Sequence, residues 1–181
     1  RKLVESLRRD FRLSNPRIAL LSINPKAGDN GLLGSEEQDI IRPAIENLVN
    51  DGVQVFGPYA ADTLFSGNDY ALFDAIVAMY YDQGMIPFHA LCTEPGVSYT
   101  IDLPVVCTSP DLTNTLRLGG KGEADPQSLR NAIYTAIDIF RNRTDFDKAG
   151  MHPLPKLYKE KKDDSEKVRF AIPKKRESKA Q

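Results

Sequence analysis

The sequence is poor in the side chains that most often build metal centres: it has two histidines, His89 and His152, and two cysteines, Cys92 and Cys107. Two histidines exclude a three-histidine metal site supplied by this chain alone. The cysteines lack CxxC or zinc-ribbon spacing, so reduced thiols are expected. No apolar stretch approaches the roughly 20 residues needed to span a bilayer. The opening Arg1-Lys-Leu-Val-Glu-Ser-Leu7 has neither the apolar core of a signal peptide nor an initiating methionine. The expectation is a cytoplasmic protein that lacks its true beginning. A formal net charge of −1 with 27% charged residues gives no global reason for nucleic acid or another polyanion as partner.

What is present is a globular composition. With 181 residues, 41% of them hydrophobic, the chain is long enough to bury a core as one large domain or two small ones. The organising stretch is Ala75-Ile-Val-Ala-Met-Tyr-Tyr-Asp-Gln-Gly-Met-Ile-Pro87. Its uninterrupted apolar start, Ala75 to Tyr80, suits a central strand buried on both faces of a parallel sheet. Ligands of open α/β sheets bind beyond the carboxyl ends of strands, which places the first search for chemistry at Tyr81-Asp82-Gln83-Gly84.

Around that strand the pattern alternates. Leu3, Val4, Leu7 and Phe11 give an amphipathic helix over residues 1–13, and Arg17 to Ile23 reads as a buried strand. The loop Asn24 to Gly34 carries glycines that permit close backbone approach to a ligand. Ser35 and Gln38 form a capping box before a helix running to about Asn50, with Ile40, Ile41, Ala44, Ile45 and Leu48 on its apolar face. Val53 to Phe56 reads as a strand ended by a Gly57-Pro58 turn. Ala61 to Phe65 and Asn68 to Phe73 are short helical candidates, and Gln83 to Leu91 is a third. Two short strands, Val97–Ile101 and Pro104–Thr108, precede a glycine-rich loop containing Gly119-Gly120-Lys121-Gly122. Pro126 then opens a long helix at N1, with Leu129, Ala132, Ile133, Ala136, Ile137, Ile139 and Phe140 as its apolar positions. Residues 1–143 form the α/β region, and 144–181 read as a charged tail, extended or partly ordered.

Five blocks, in order and spacing, resemble the carboxyl-terminal half of 4-hydroxythreonine-4-phosphate dehydrogenase. They are Asn24-Pro25-x-Ala27-Gly28-Asp29, Gly34-x-Glu36-Glu37, Gly57-Pro58-x-x-Ala61-Asp62-Thr63-Leu64-Phe65, Ala78-Met79-Tyr80-x-Asp82-Gln83-Gly84 and Thr108-Ser109-Pro110-Asp111. Gly120-Lys121-Gly122-Glu123-Ala124-Asp125 extends the likeness, which runs from about Pro16 to Arg143. The resemblance implies an isocitrate-dehydrogenase-like fold of α/β/α layers with a mostly parallel sheet. It also implies a homodimer, NAD, and a divalent metal that polarises the substrate oxygen while the nicotinamide accepts hydride. The family reaction oxidises and decarboxylates 4-phosphooxy-threonine on the route to pyridoxal phosphate. The family's chain is nearly twice as long, and its other half contributes one metal-binding histidine and further substrate contacts.

Departures from the pattern fall on the ligand positions. Lys26 stands where the family has a metal-binding histidine, and Tyr81 where it has a second. An ammonium has no lone pair to donate and repels a cation, and a neutral phenol is a weak ligand. At substrate positions, His89 replaces a lysine, Ser98 an asparagine and Cys107 an arginine whose planar fork suits phosphate. In the cofactor loop, Asp111-Leu112-Thr113-Asn114-Thr115 lacks the family's glycine, with Lys121 further along. No metal and no cofactor are expected in this chain; NAD and the metal enter only through the resemblance.

Each position also has an ordinary reading. His89 reads as a packed or solvent-facing side chain, Cys107 as an inert strand thiol, and Asp29, Asp82 and Asp111 as turn or cap residues. Gly119 to Gly122 lacks the spacing of a P-loop. The expectation is a dehydrogenase-like domain without activity of its own that self-associates as a homodimer. The alternative is a retooled module using Lys26, His89 and Lys121 to hold a small, phosphorylated anion.

Overall fold

A computed structural model describes residues 1–93, 95–111 and 115–153. The fold is α/β, built on a parallel three-stranded sheet in the order β2-β1-β3, where β1 is Ile18–Leu21, β2 Val55–Tyr59 and β3 Ala75–Val77. Helix α1 (Lys2–Asp10) supplies Val4 and Leu7, α2 (Arg42–Asn50) supplies Ile45, and Ile41, just before α2, joins them in a core with Ile18 and Val55. A second cluster gathers Ala19, Leu21 and Leu64, the last on α3 (Ala61–Ser66), with Tyr59, Phe65, Tyr70 and Phe73 packed around it. Alternation along β1 sends Ile18 into the first cluster and Ala19 and Leu21 into the second, so this four-residue strand is the middle layer of the fold.

The centre of the sheet is therefore β1, and the stretch expected to be central lies at its edge. β3 spans three half-buried residues and, among the described residues, pairs with β1 alone, in the register Ile18↔Ala75 and Leu20↔Val77, while Tyr80 is 52% exposed. An unbroken apolar run thus marks position beside the core here, not burial on both faces. Gly57-Pro58 is also not a turn, since it lies inside β2 at a shift of register between Ala19 and Leu21. There φ is +132° at Gly57, and a Cβ would sit 2.4 Å from the carbonyl oxygen of Leu20, so only glycine lets the strands approach.

The helix preceding β2 begins differently from its capping signal. The Ser35 hydroxyl bonds the Asp39 carboxylate at 2.6 Å instead of capping the backbone, and Glu37–Ile41 is a π-helical segment. That wider turn shifts the residues around the axis and leaves Ile40 62% exposed while Ile41 is buried.

Past β3, the chain forms α4 (Tyr81–Leu91), an antiparallel hairpin of β4 (Val97–Thr100) and β5 (Cys107–Pro110), the short α5 (Thr115–Leu118) and α6 (Gln127–Met151). α6 continues to Met151, beyond the boundary expected at Arg143, and packs on the hairpin and on α1. Its buried residues are Ser128, Ala132, Ile139 and Arg143, whereas Leu129, Ile133, Ile137 and Phe140 are exposed. The residues expected to carry the tail from 154 to 181 lie outside those described.

Candidate functional site

Parallel pairing of β1 and β3 puts their carboxyl ends side by side, and the turns that leave them are tied together by one side chain. Gln83 accepts from the amides of Met79 at 3.1 Å and Tyr80 at 3.3 Å, and its Nε2 donates to the Ser22 carbonyl at 2.9 Å. Lys26 and Tyr81 therefore stand on two turns of one sheet edge. Both are exposed, Tyr81 by 76%.

The loop after β1 is wound in the left-handed sense. Lys26, Ala27, Gly28, Asp29 and Asn30 have φ of 51°, 53°, 82°, 43° and 57°. Each L-residue pays roughly 1–2 kcal/mol in that region, so neighbouring structure must hold the loop there. Glu37 provides that hold. Its carboxylate, 1% exposed, accepts from the amides of Ile23 at 2.9 Å and Asn24 at 2.7 Å and from Asn24 Nδ2 at 2.9 Å. Burial pushes its pKa up, but the Asn24 backbone and side-chain bonds and the Ile23 amide outweigh it, and the net displacement is downward. At Gly28 a Cβ would meet Glu37 Oε2 at 2.7 Å and the Gly34 carbonyl at 2.9 Å.

A divalent metal does not fit this edge. Lys26 offers an ammonium and Tyr81 a phenol, and among the described residues no three His, Cys, Asp or Glu side chains converge on a point.

A cleft of about 630 Å³ opens elsewhere, between the end of α4, the residue after β5 and the start of α6. It brings together two of the positions singled out in the sequence, His89 and Asp111, whose Nδ1 and Oδ2 are 3.5 Å apart. Gly119, Gly120 and Gly122 form one wall, but Lys121 between them does not line the cleft. Cys92, one helical turn beyond His89, lines it as well; the His-x-x-Cys spacing at the end of a predicted helix is the signal for it. Ser98 and Cys107 are not brought there. In the hairpin register Ser98 faces Ser109 and Cys107 faces Thr100 on the exposed side, while Thr108 turns inward to bond the Ala132 carbonyl at 2.9 Å. Leu112 and Asn114 lie outside the described residues. Among the described residues no lysine or arginine lines the space, so an anion there would depend on backbone N–H groups alone.

Sequence reasoning also missed a polar cluster that joins α1, β4 and α6. Arg143 donates from Nε to Asp10 at 2.9 Å, from Nη2 to Tyr99 Oη at 2.8 Å and from Nη1 to the Leu103 carbonyl at 3.2 Å. Asp10 also accepts from Ser6 at 2.8 Å and Tyr99 at 2.6 Å. Burial raises the Asp10 pKa, yet the bonds from Arg143, Tyr99 and Ser6 carry the balance below the ordinary carboxylate value. Among the described residues no buried side-chain nitrogen or oxygen lacks a partner, and the cluster's bonds run between α1, β4 and α6, so its role is to hold these elements together.

Comparison with known proteins agrees with the α/β fold. A 4-hydroxythreonine-4-phosphate dehydrogenase from Bacteroides thetaiotaomicron is 52% identical over 164 residues, covering 91% of this chain and 45% of that protein. The crystal structure of the enzyme of the same name from Klebsiella pneumoniae superposes with a TM-score of 0.64 at 39% identity, over 76% of this chain and 41% of that one. A terephthalate 1,2-cis-dihydrodiol dehydrogenase from Burkholderia xenovorans matches with a TM-score of 0.57 at 33% identity, over 76% and 43% of the two chains. The chain thus spans under half the length of these relatives. The profile of the family described as pyridoxal phosphate biosynthetic protein PdxA matches residues 1–136, and to that family this chain belongs.

Proposed function

We propose that this chain is a 4-hydroxythreonine-4-phosphate dehydrogenase-like domain that keeps the family's scaffold and has lost its chemistry. The family reaction, NAD-dependent oxidation and decarboxylation of 4-phosphooxy-threonine, needs a metal to polarise the substrate oxygen and a cradle for the cofactor. The observation that carries the proposal is the pair Lys26 and Tyr81 on the two turns that Gln83 ties together. What this edge offers a metal is a cation and a phenol.

The scaffold's use is self-association. Leu129, Ile133, Ile137 and Phe140 recur every three to four residues along α6 and are between 40% and 63% exposed, an apolar stripe of the kind that a second copy covers. The charge of the large cleft does not support the alternative of a small phosphorylated ligand.

Turnover of 4-phosphooxy-threonine with NAD and Mg²⁺ or Zn²⁺ tests the loss of chemistry. No NADH is expected, and calorimetry is expected to show no specific uptake of either metal. The double variant Lys26→His, Tyr81→His should bind Zn²⁺ measurably more tightly than the parent chain. NADH formation by the unaltered chain would overturn the proposal.

A further inference from the structure

The chain contains one Asn-Gly dipeptide, Asn30-Gly31, and both residues lie exposed in the left-handed loop after β1. Glycine has no side chain to shield its amide nitrogen, so an asparagine before it is the kind most open to deamidation. In that reaction the Gly31 nitrogen gives up its proton to hydroxide and bonds to the side-chain amide carbon of Asn30. The bond from that carbon to the side-chain nitrogen breaks, and ammonia leaves. Water then opens the cyclic imide to aspartate or isoaspartate, with no change of oxidation state. The ring closes only when the Gly31 nitrogen lies beside the Asn30 Cβ. At a ψ of 30° it lies trans to that atom instead, out of reach of the amide carbon. A tight turn fixes this conformation: φ is 57° at Asn30 and 94° at Gly31, and the Asp29 carbonyl accepts from the Leu32 amide at 3.2 Å. The Gly28 carbonyl encloses that turn by accepting from the Leu33 amide at 3.0 Å.

We propose that Asn30 is a latent deamidation site, kept unreactive by the winding of its loop and released when the loop opens. Glu37 controls that opening. Its carboxylate accepts from the amides of Ile23 and Asn24 where the loop leaves β1, and it packs so closely on Gly28 that a Cβ there would meet it at 2.7 Å. The left-handed φ of Lys26, Ala27 and Asp29 favours release once that hold is gone. The modification runs one way, because isoaspartate lengthens the main chain by a methylene that the two nested turns do not accommodate. Either product adds one negative charge beside Asp29, in the loop that carries Lys26. The inference stands apart from the proposed loss of chemistry and holds whether or not the β1–β3 edge takes a metal.

Peptide mapping by mass spectrometry, after incubation of the full chain in mildly alkaline buffer at physiological temperature, reads the reaction residue by residue. A synthetic peptide spanning residues 24–34 supplies the rate of the open loop. Asn30 in the folded chain should deamidate at least about tenfold more slowly than in the peptide, since it reacts only during local opening. Glu37→Gln should raise the rate at Asn30 about tenfold, and the rates at Asn50 and Asn68, exposed on other elements, should not change. Asn24→Ala removes one side-chain donor to Glu37, leaves both backbone amides and should raise the rate about threefold. It carries the test where the first variant does not fold, and the ratio of chain to peptide carries it without any variant. A folded chain that reacts as fast as the peptide, a peptide that does not react, an unchanged rate at Asn30 in the folded variants, or an equal acceleration at Asn50 and Asn68 would overturn the proposal.

Discussion

Two fully buried carboxylates hold this fold by different means. Asp10, 2% exposed, is neutralised by an arginine 133 residues away, whereas Glu37, 1% exposed, is held by amides of residues only 13 and 14 positions before it. The first fastens α1 to α6, the first and last described helices. The second shapes one loop. Long-range ion pairs fix which elements meet, and local amide cradles fix the backbone of a loop whose φ values are otherwise unfavourable.

Removing the cation should separate the two most sharply. Arg143→Met leaves the Asp10 carboxylate buried without its partner, and an uncompensated buried charge costs about 3–5 kcal/mol. Chemical denaturation should show this as a large drop in the unfolding midpoint, with the loop at Lys26 keeping its hydrogen-exchange protection until global unfolding. A loss below about 1 kcal/mol would mean that the cluster does not close the fold.

Glu37→Gln is expected to have a smaller and more local effect. The amide keeps one acceptor oxygen but turns an NH₂ toward groups that themselves donate, at a cost of about 2 kcal/mol. Amide exchange should accelerate at Ile23 and Asn24 before it does on α1 and α6. Loss of protection spread evenly over the chain would make Glu37 a global element like Asp10.

Acid tests both carboxylates at once. Each folded-state pKa lies below its ordinary value, 3.8 for Asp10 and 4.5 for Glu37, so each contributes stability that is complete above those values. That contribution disappears as pH falls through the depressed folded pKa, because the unfolded chain then binds protons that the folded chain does not. Stability should be level from about pH 6 to 5 and fall below about pH 4.5. The acid limb of Glu37→Gln should be shallower by the share of one carboxylate. An unchanged limb would show that Glu37 protonates alike in both states.

The same contrast explains what the sequence disclosed. Positions that keep the family pattern include Glu37, Gly28, Gly57 and Gln83, and each is fixed by packing or by a hydrogen bond to another turn. Positions that depart from it, Lys26, Tyr81, His89, Ser98 and Cys107, are all exposed. The scaffold alone therefore accounts for much of the retained pattern. Asp29 and Asp82 are retained although exposed, and nothing in the structure explains them. The α/β class, β1 and α4 were legible because their apolar spacing is local. The buried face of α6 was not, because Arg143 and its partner across the chain choose that face against the greater hydrophobicity of Leu129, Ile133 and Phe140. The cleft was equally hidden: His89 on α4 and Asp111 after β5 meet from two separate elements 22 residues apart in sequence.

The smallest expected effect has the opposite sign. Ala27 sits at φ 53° in the left-handed loop, where a Cβ is unfavourable by roughly 1–2 kcal/mol. Replacing it with glycine relieves that cost and gives back part of it, about 0.4–1 kcal/mol, through the greater freedom of the unfolded chain. Ala27→Gly should therefore stabilise the protein by about 0.5 kcal/mol, an increment that thermal unfolding of matched samples resolves. A decrease would mean that the half-buried Ala27 methyl contributes packing worth more than the strain, and that Glu37 holds a loop at rest rather than one under tension.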